Sequence, residues 1–170
     1  MIQASPGSNV VTMKTILYTL VLSIWAVAAH GANLRQPLDF DTYSGYFVSN
    51  KFEPDSPASF AVINDREQFD RVFGVAFVMG DKFHRLPADA FPSRQVMAVI
   101  KRGSAVWNYK VEGVSAKDGV VELRYTTTAN TNGQATFACP LIVSIARGKY
   151  TAIQFVENGK PVKKIEFGGK

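Results

Sequence analysis

The chain has 170 residues, of which 46% are hydrophobic and 19% charged, and a formal net charge of +5. That length suits one domain, and the mixture excludes a disordered chain. The positive charge is mild and dispersed, which excludes the dense basic patch with interleaved aromatics of a nucleic-acid binder. The pairs Lys101-Arg102 and Lys163-Lys164 read as solvated surface.

Lys14 is the only Lys, Arg, Asp or Glu before Arg35, and a largely apolar run from Thr15 to Ala29 comes after it. A positive residue, a short apolar run and then small residues form the layout of a secretory signal peptide, here residues 1–31, with cleavage after Ala28 or Gly31. The run falls short of the roughly 20 residues of a membrane span, so no stable span is expected after cleavage. An uncleaved anchor helix is the alternative. Residues 1–12 carry no charge, and Met13-Lys14 makes the better start. The expected destination is the periplasm or the cell exterior. Cys139 is the only cysteine, so no intramolecular disulfide forms and no thiol follows the signal to carry a lipid anchor.

Residues 32–57 read as an extended lead-in with a short strand at Tyr46–Ser49, and 58–170 as a single β-rich domain. Ala58–Ile63 is strand-like. A helix comes next, capped by Asn64 with Glu67 three residues on, its apolar face formed by Phe69, Val72 and Phe73 and its end set by Gly74. Phe77–Met79 fits a short strand or a helical turn, and Pro87 and Pro92 break the chain before Arg94. Gln95–Ile100 is apolar on both faces, as in a central strand. Val106–Val111 and Val120–Thr126 alternate apolar with polar residues and flank Asp118-Gly119, a hairpin turn. The polar run 126–134 reads as a loop. Ala135–Ala138 and Leu141–Ala146 form a strand interrupted at Pro140, and Tyr150–Val156 and Val162–Phe167 flank a second turn at Asn158-Gly159. The sum is seven or eight strands and one helix: a mainly β (α+β) fold with an antiparallel sheet, small sandwich or barrel and one covering helix.

Chemistry is sparse. His84 is the only histidine outside the signal region, and it lacks the companions a metal site needs; neither a metal nor a cofactor is expected. His84 with Asp89 or with Cys139 is the minimum for a small hydrolase. Cys139 lies in an apolar stretch, where thiols are usually inert. Trp107 and Tyr109 form an aromatic stripe that suits core packing or, alternatively, a glycan or small-ligand platform. The 127–134 loop, with Asn130, Asn132 and Gln134, and the 82–94 segment, with Arg85 and Arg94, are candidate contact regions.

The order of these elements resembles the C-terminal domain of the PrcB-like family of secreted accessory proteins. The resemblance covers residues 58–156: Phe60-Ala61-Val62-Ile63 leading to the helix with Phe69, the strand Val96–Ile100, the hairpin Trp107–Tyr125 and the strand with Pro140-Leu141-Ile142-Val143. Where that family tends to carry a Thr-Gly-Gly-Tyr-like motif, this chain has Gly103 and Tyr109. The resemblance implies binding or scaffolding without catalysis and assigns no site residue. An export signal, a β-rich scaffold with long polar loops and the lack of a catalytic constellation give the expected function: a non-enzymatic domain that contacts another envelope or secreted protein. An exposed strand edge is one means of doing so.

Overall fold

The computed structural model describes Met1 and residues 34–77, 83–131 and 135–167. The expected signal peptide, its start at Met13, and the candidates Asn132 and Gln134 lie outside the described residues. Among those described are eleven strands and one helix: β1 (Gln36–Pro37), β2 (Phe40–Tyr43), β3 (Tyr46–Val48), β4 (Ala58–Ile63), α1 (Arg66–Val72), β5 (Phe73–Val75), β6 (Arg94–Gly103), β7 (Ala105–Lys117), β8 (Val120–Thr131), β9 (Phe137–Ala146), β10 (Ala152–Glu157) and β11 (Lys160–Glu166).

Two large sheets face each other. One has the order β1-β7-β8-β10-β11 and the other β2-β9-β6-β4, while β3 and β5 form a separate ribbon. Pairing is antiparallel except between β8 and β10, which run parallel. Among the described residues the architecture is a mainly β sandwich with one short helix, and it does not close into a barrel. Strands β1, β2 and β3 come from the segment read as a lead-in; β1 joins the first sheet through β7, and β2 the second through β9.

Alternation explains the layers. Odd-numbered Met97, Val99, Leu141, Val143 and Ile145 pack against Val121, Leu123, Tyr125, Ile153 and Phe155 of the opposite sheet. Even-numbered Val96, Ala98, Ile100 and Ile142 point the other way, against Phe69 and Val72 of α1 and Leu86 and Phe91 of the segment before β6. The β2-β9-β6-β4 sheet is thus covered on both faces, which is why β6 is apolar on both.

Both expected hairpin turns form. Asp118 and Gly119 have φ of 51° and 78°, and Asn158 and Gly159 have 49° and 78°. Two successive positive φ values give the turn whose twist matches the flanking strands. In β7 a bulge at Glu112 changes the inward parity from Tyr109 and Val111 to Val114 and Ala116, so one hydrophobic face is kept across the irregularity.

Several expectations need correction. Asp65, not Asn64, caps α1: its carboxylate accepts from the Gln68 N–H at 2.8 Å, and Gln68 Oε1 accepts from the Asn64 N–H. The helix ends at Val72, and Gly74 lies within β5, under the Phe47 ring. Strand β9 is continuous through Pro140, which pairs with Ile100. Pairing with β2 ends at Ile142, so β9 has a free flank there that accommodates a residue without an N–H. The polar run 126–131 is strand, paired with 105–110. Its threonines are β-branched and fit an extended backbone despite their polarity.

Candidate functional site

Four strands end the two large sheets, and three of their edges are blunted. Strand β11 carries Lys160, Pro161, Lys163 and Lys164 and a bulge in its pairing with β10. Charge, proline and bulges are the usual means of preventing further pairing. Strand β1 is only 2 residues long and pairs with Ser115 and Ala116 alone; the rest of that flank of β7 is interrupted by charged Lys110 and Glu112 and by the bulge at Glu112. Strand β2 is covered by the 83–87 segment: the Ser44 N–H donates to the His84 carbonyl at 2.9 Å, and His84 Nδ1 lies 3.0 Å from the Thr42 carbonyl.

Strand β4 is different. Its 6 residues, Ala-Ser-Phe-Ala-Val-Ile, contain no charge and no proline, and its pairing with β6 is regular. Among the described residues, its backbone bonds only to β6. Beside it lies a 690 Å³ groove between β4, α1 and the 49–52 turn. The apolar lining is Phe52, Ala61, Val62, Ile63 and Val72, and the charged lining is Lys51, Asp70 and Arg71. Arg71 is paired with Glu67 and Asp70 with Arg66, both along the helix. Among the described residues, no carboxylate pairs with Lys51.

The start of β4 is held from the next strand. Arg102 donates from Nη1 to Ser59 Oγ at 2.7 Å and to the Ser56 carbonyl at 3.2 Å, and from Nη2 to the Phe52 carbonyl at 2.7 Å. One guanidinium thus fixes the turn that lines the groove to the strand that borders it.

A polar cluster occupies the space between the sheets. Lys101 pairs with Glu157, their side chains 14% and 13% exposed. Glu157 also accepts from Thr127 Oγ1 at 2.8 Å and Tyr125 Oη at 3.2 Å. Burial pushes the Glu157 carboxyl up, but the hydrogen bonds from Lys101, Thr127 and Tyr125 and the Lys101 charge together hold it below the usual range. Burial drives the Tyr109 and Tyr125 phenols well above their ordinary value of 10.0. The Lys101 ammonium sits 4.0 Å from the centre of the Trp107 ring. The Lys101-Arg102 pair is therefore not solvated surface, and both residues are structural anchors. Lys101 continues the inward parity of Met97 and Val99, the one sequence signal that points to its direction.

The sequence candidates do not converge. The His84 ring packs at a tilt of 44° against Tyr43, with ring centres 5.1 Å apart, and Tyr43 belongs to the helix-side core. Cys139 lies on the sandwich side, where its Sγ accepts from the Trp107 N–H at 3.4 Å and its carbonyl from Tyr109 Oη at 2.8 Å. The sheet separates the two, and among the described residues no hydrogen bond joins His84 to Asp89 or Cys139. Trp107 and Tyr109 are half-buried, and Tyr109 packs on the sandwich core. Arg94 donates to Ser144 Oγ at 2.7 Å and pairs with Asp41, tying β2 to its sheet. Arg85 donates to the Ala76 carbonyl at 2.7 Å and lies over Phe77 and Phe83. Asn130 is exposed in β8, opposite Val106.

Among the described residues, no group of three or more His, Cys, Asp or Glu side chains is placed to hold a metal ion, and no helix is long and apolar enough to cross a membrane. Comparison with protein-family models, curated proteins and solved structures finds no match.

Proposed function

We propose that this chain is an exported, non-enzymatic binding domain that takes up an extended segment of another envelope or secreted protein along β4. The observation that carries the proposal is the open edge of β4 beside the groove against α1. An incoming strand gains main-chain hydrogen bonds from the edge, and the groove receives alternate side chains; this is the physics of strand addition. Strands β2 and β11 carry protection that β4 lacks, so its open edge fits a functional role. The resemblance to the PrcB-like accessory proteins supports the same class of role.

Two other functions have less support. A hydrolase needs His84 beside an acid or the thiol, and the His84 ring instead meets the Thr42 carbonyl of β2 through Nδ1. A glycan platform needs exposed rings, and one face of the half-buried Trp107 carries the Lys101 ammonium while Tyr109 packs on the sandwich core.

The test is capture from a native envelope extract with the mature chain and with Ala61→Lys, which sets a charge on the open strand. Thermal melting first establishes that the variant is folded. A protein retained by the parent chain and lost with the variant supports strand acceptance. Equal retention by both rejects it.

A further inference from the structure

We infer that the segment received along β4 is acidic, with apolar residues at alternate positions and a carboxylate that meets Lys51. This rests on the proposal that β4 accepts a strand. A strand laid on β4 places every second side chain on the helix side. There Phe52, Ala61, Ile63 and Val72 present apolar surface that suits aliphatic side chains. The charge around them is not balanced. Arg71 and Asp70 are each neutralised by a neighbour on α1. Lys51 lines the same groove without a carboxylate partner among the described residues; Glu53 and Asp55 share its turn but do not line the groove. A cation without an ion-pair partner in the groove beside an open strand favours a segment that brings a negative side chain there and disfavours one that brings a positive side chain.

The probes are fluorescein-labelled synthetic peptides of alternating threonine and valine. One set carries glutamate at both ends, a second carries lysine, and a third is the glutamate peptide with every backbone nitrogen methylated. Anisotropy titrations use the mature chain and Lys51→Glu, an exposed position. The glutamate peptide is expected to bind about tenfold more tightly than the lysine peptide, with the margin shrinking at high salt. Lys51→Glu should reverse the order, and N-methylation should abolish binding. Equal affinity for the two charged peptides, with N-methylation still abolishing binding, overturns the acidic preference and leaves strand acceptance intact. Binding unaffected by N-methylation, or no binding by any probe, overturns strand acceptance and this inference with it. A dimer built by pairing β4 of two copies, detected by sedimentation and excluding every probe, overturns the inference as well.

Discussion

Lys101 and Glu157, 56 residues apart in sequence, meet between the two sheets with little of either side chain exposed. The pair links β6 of one sheet to the end of β10 in the other, and Tyr125, Thr127 and Trp107 close around it. Glu157→Gln leaves an ammonium against an indole with no counter-charge. Removing one partner of a shielded pair costs about 3 kcal/mol. Replacing Lys101 with Met at the same time removes the stranded charge, and the double variant is expected to recover more than half of the loss. Urea unfolding of the four proteins in a double-mutant cycle checks both statements.

Glu157 and Tyr125 of this cluster, with Glu122 and Tyr109 elsewhere in the same sheet, set the behaviour at both pH extremes. Glu157 is held below its ordinary value of 4.5 in the folded chain, and so is Glu122, where the opposing effect of burial is outweighed by Arg35 and Arg124. When pH falls below about 4.5 the unfolded chain takes up these protons first, so the stabilisation present above that value is lost as pH falls through the folded values. Tyr109 and Tyr125 have raised values, so the unfolded chain releases their protons first when pH rises beyond about 10. Stability present below that value is lost above it. The expected result is a stability plateau falling on both sides, with tyrosinate absorbance from Tyr109 and Tyr125 appearing together with unfolding. Urea midpoints across pH check the shape, and Glu157→Gln should flatten the acid limb.

The two hairpin turns should differ in their tolerance of a side chain. Gly119 and Gly159 share a φ of 78°, so replacing either with alanine carries the left-handed penalty of about 1 kcal/mol. A Cβ on Gly159 meets open space, whereas one on Gly119 lies 3.2 Å from Thr151 Oγ1. Gly119→Ala is therefore expected to be the more destabilising substitution. Thermal melts of the two variants decide it, and equal losses would contradict the added crowding.

Arg102→Lys should act on the groove more than on the core. An ammonium cannot serve the Ser59, Ser56 and Phe52 acceptors from two nitrogens as the guanidinium does. Amide exchange is expected to rise by about tenfold or more across residues 52–59. The amides of β9, in the middle of the sheet, should keep their protection. Exchange rising equally in both places would show that Arg102 supports the whole sheet.

Much of the architecture is legible in the sequence because local chemistry determines it. Asp118-Gly119 and Asn158-Gly159 form their turns without help from distant residues. Phe69 and Val72 mark the buried face of α1. The parallel pairing of β8 with β10 is not legible, because β9 leaves for the other sheet between them and no local pattern records that crossing. The polar end of β8 reads as a loop only when polarity is given more weight than the extended preference of threonine. The groove at β4 shows in the sequence only as an exposed edge in general. Lys51 and α1 are brought to the same strand by a turn that Arg102 holds from elsewhere in the sequence.

Strand β6 is covered on both faces, which creates a problem of registration. In a strand with one wet face, a slip of one residue turns the apolar set toward water and is punished at once. From Val96 to Ile100 such a slip would exchange one apolar set for another, and neither core would reject it strongly. The alignment must then be read at the strand's ends. Arg94 finds Ser144 and Asp41, and Gln95 finds Asn64. At the other end, Arg102 finds Ser59 and the Phe52 carbonyl, while Lys101 finds Glu157. These polar groups work as index marks on a featureless ruler: the greasy middle supplies cohesion, and only the marks say where it must stop.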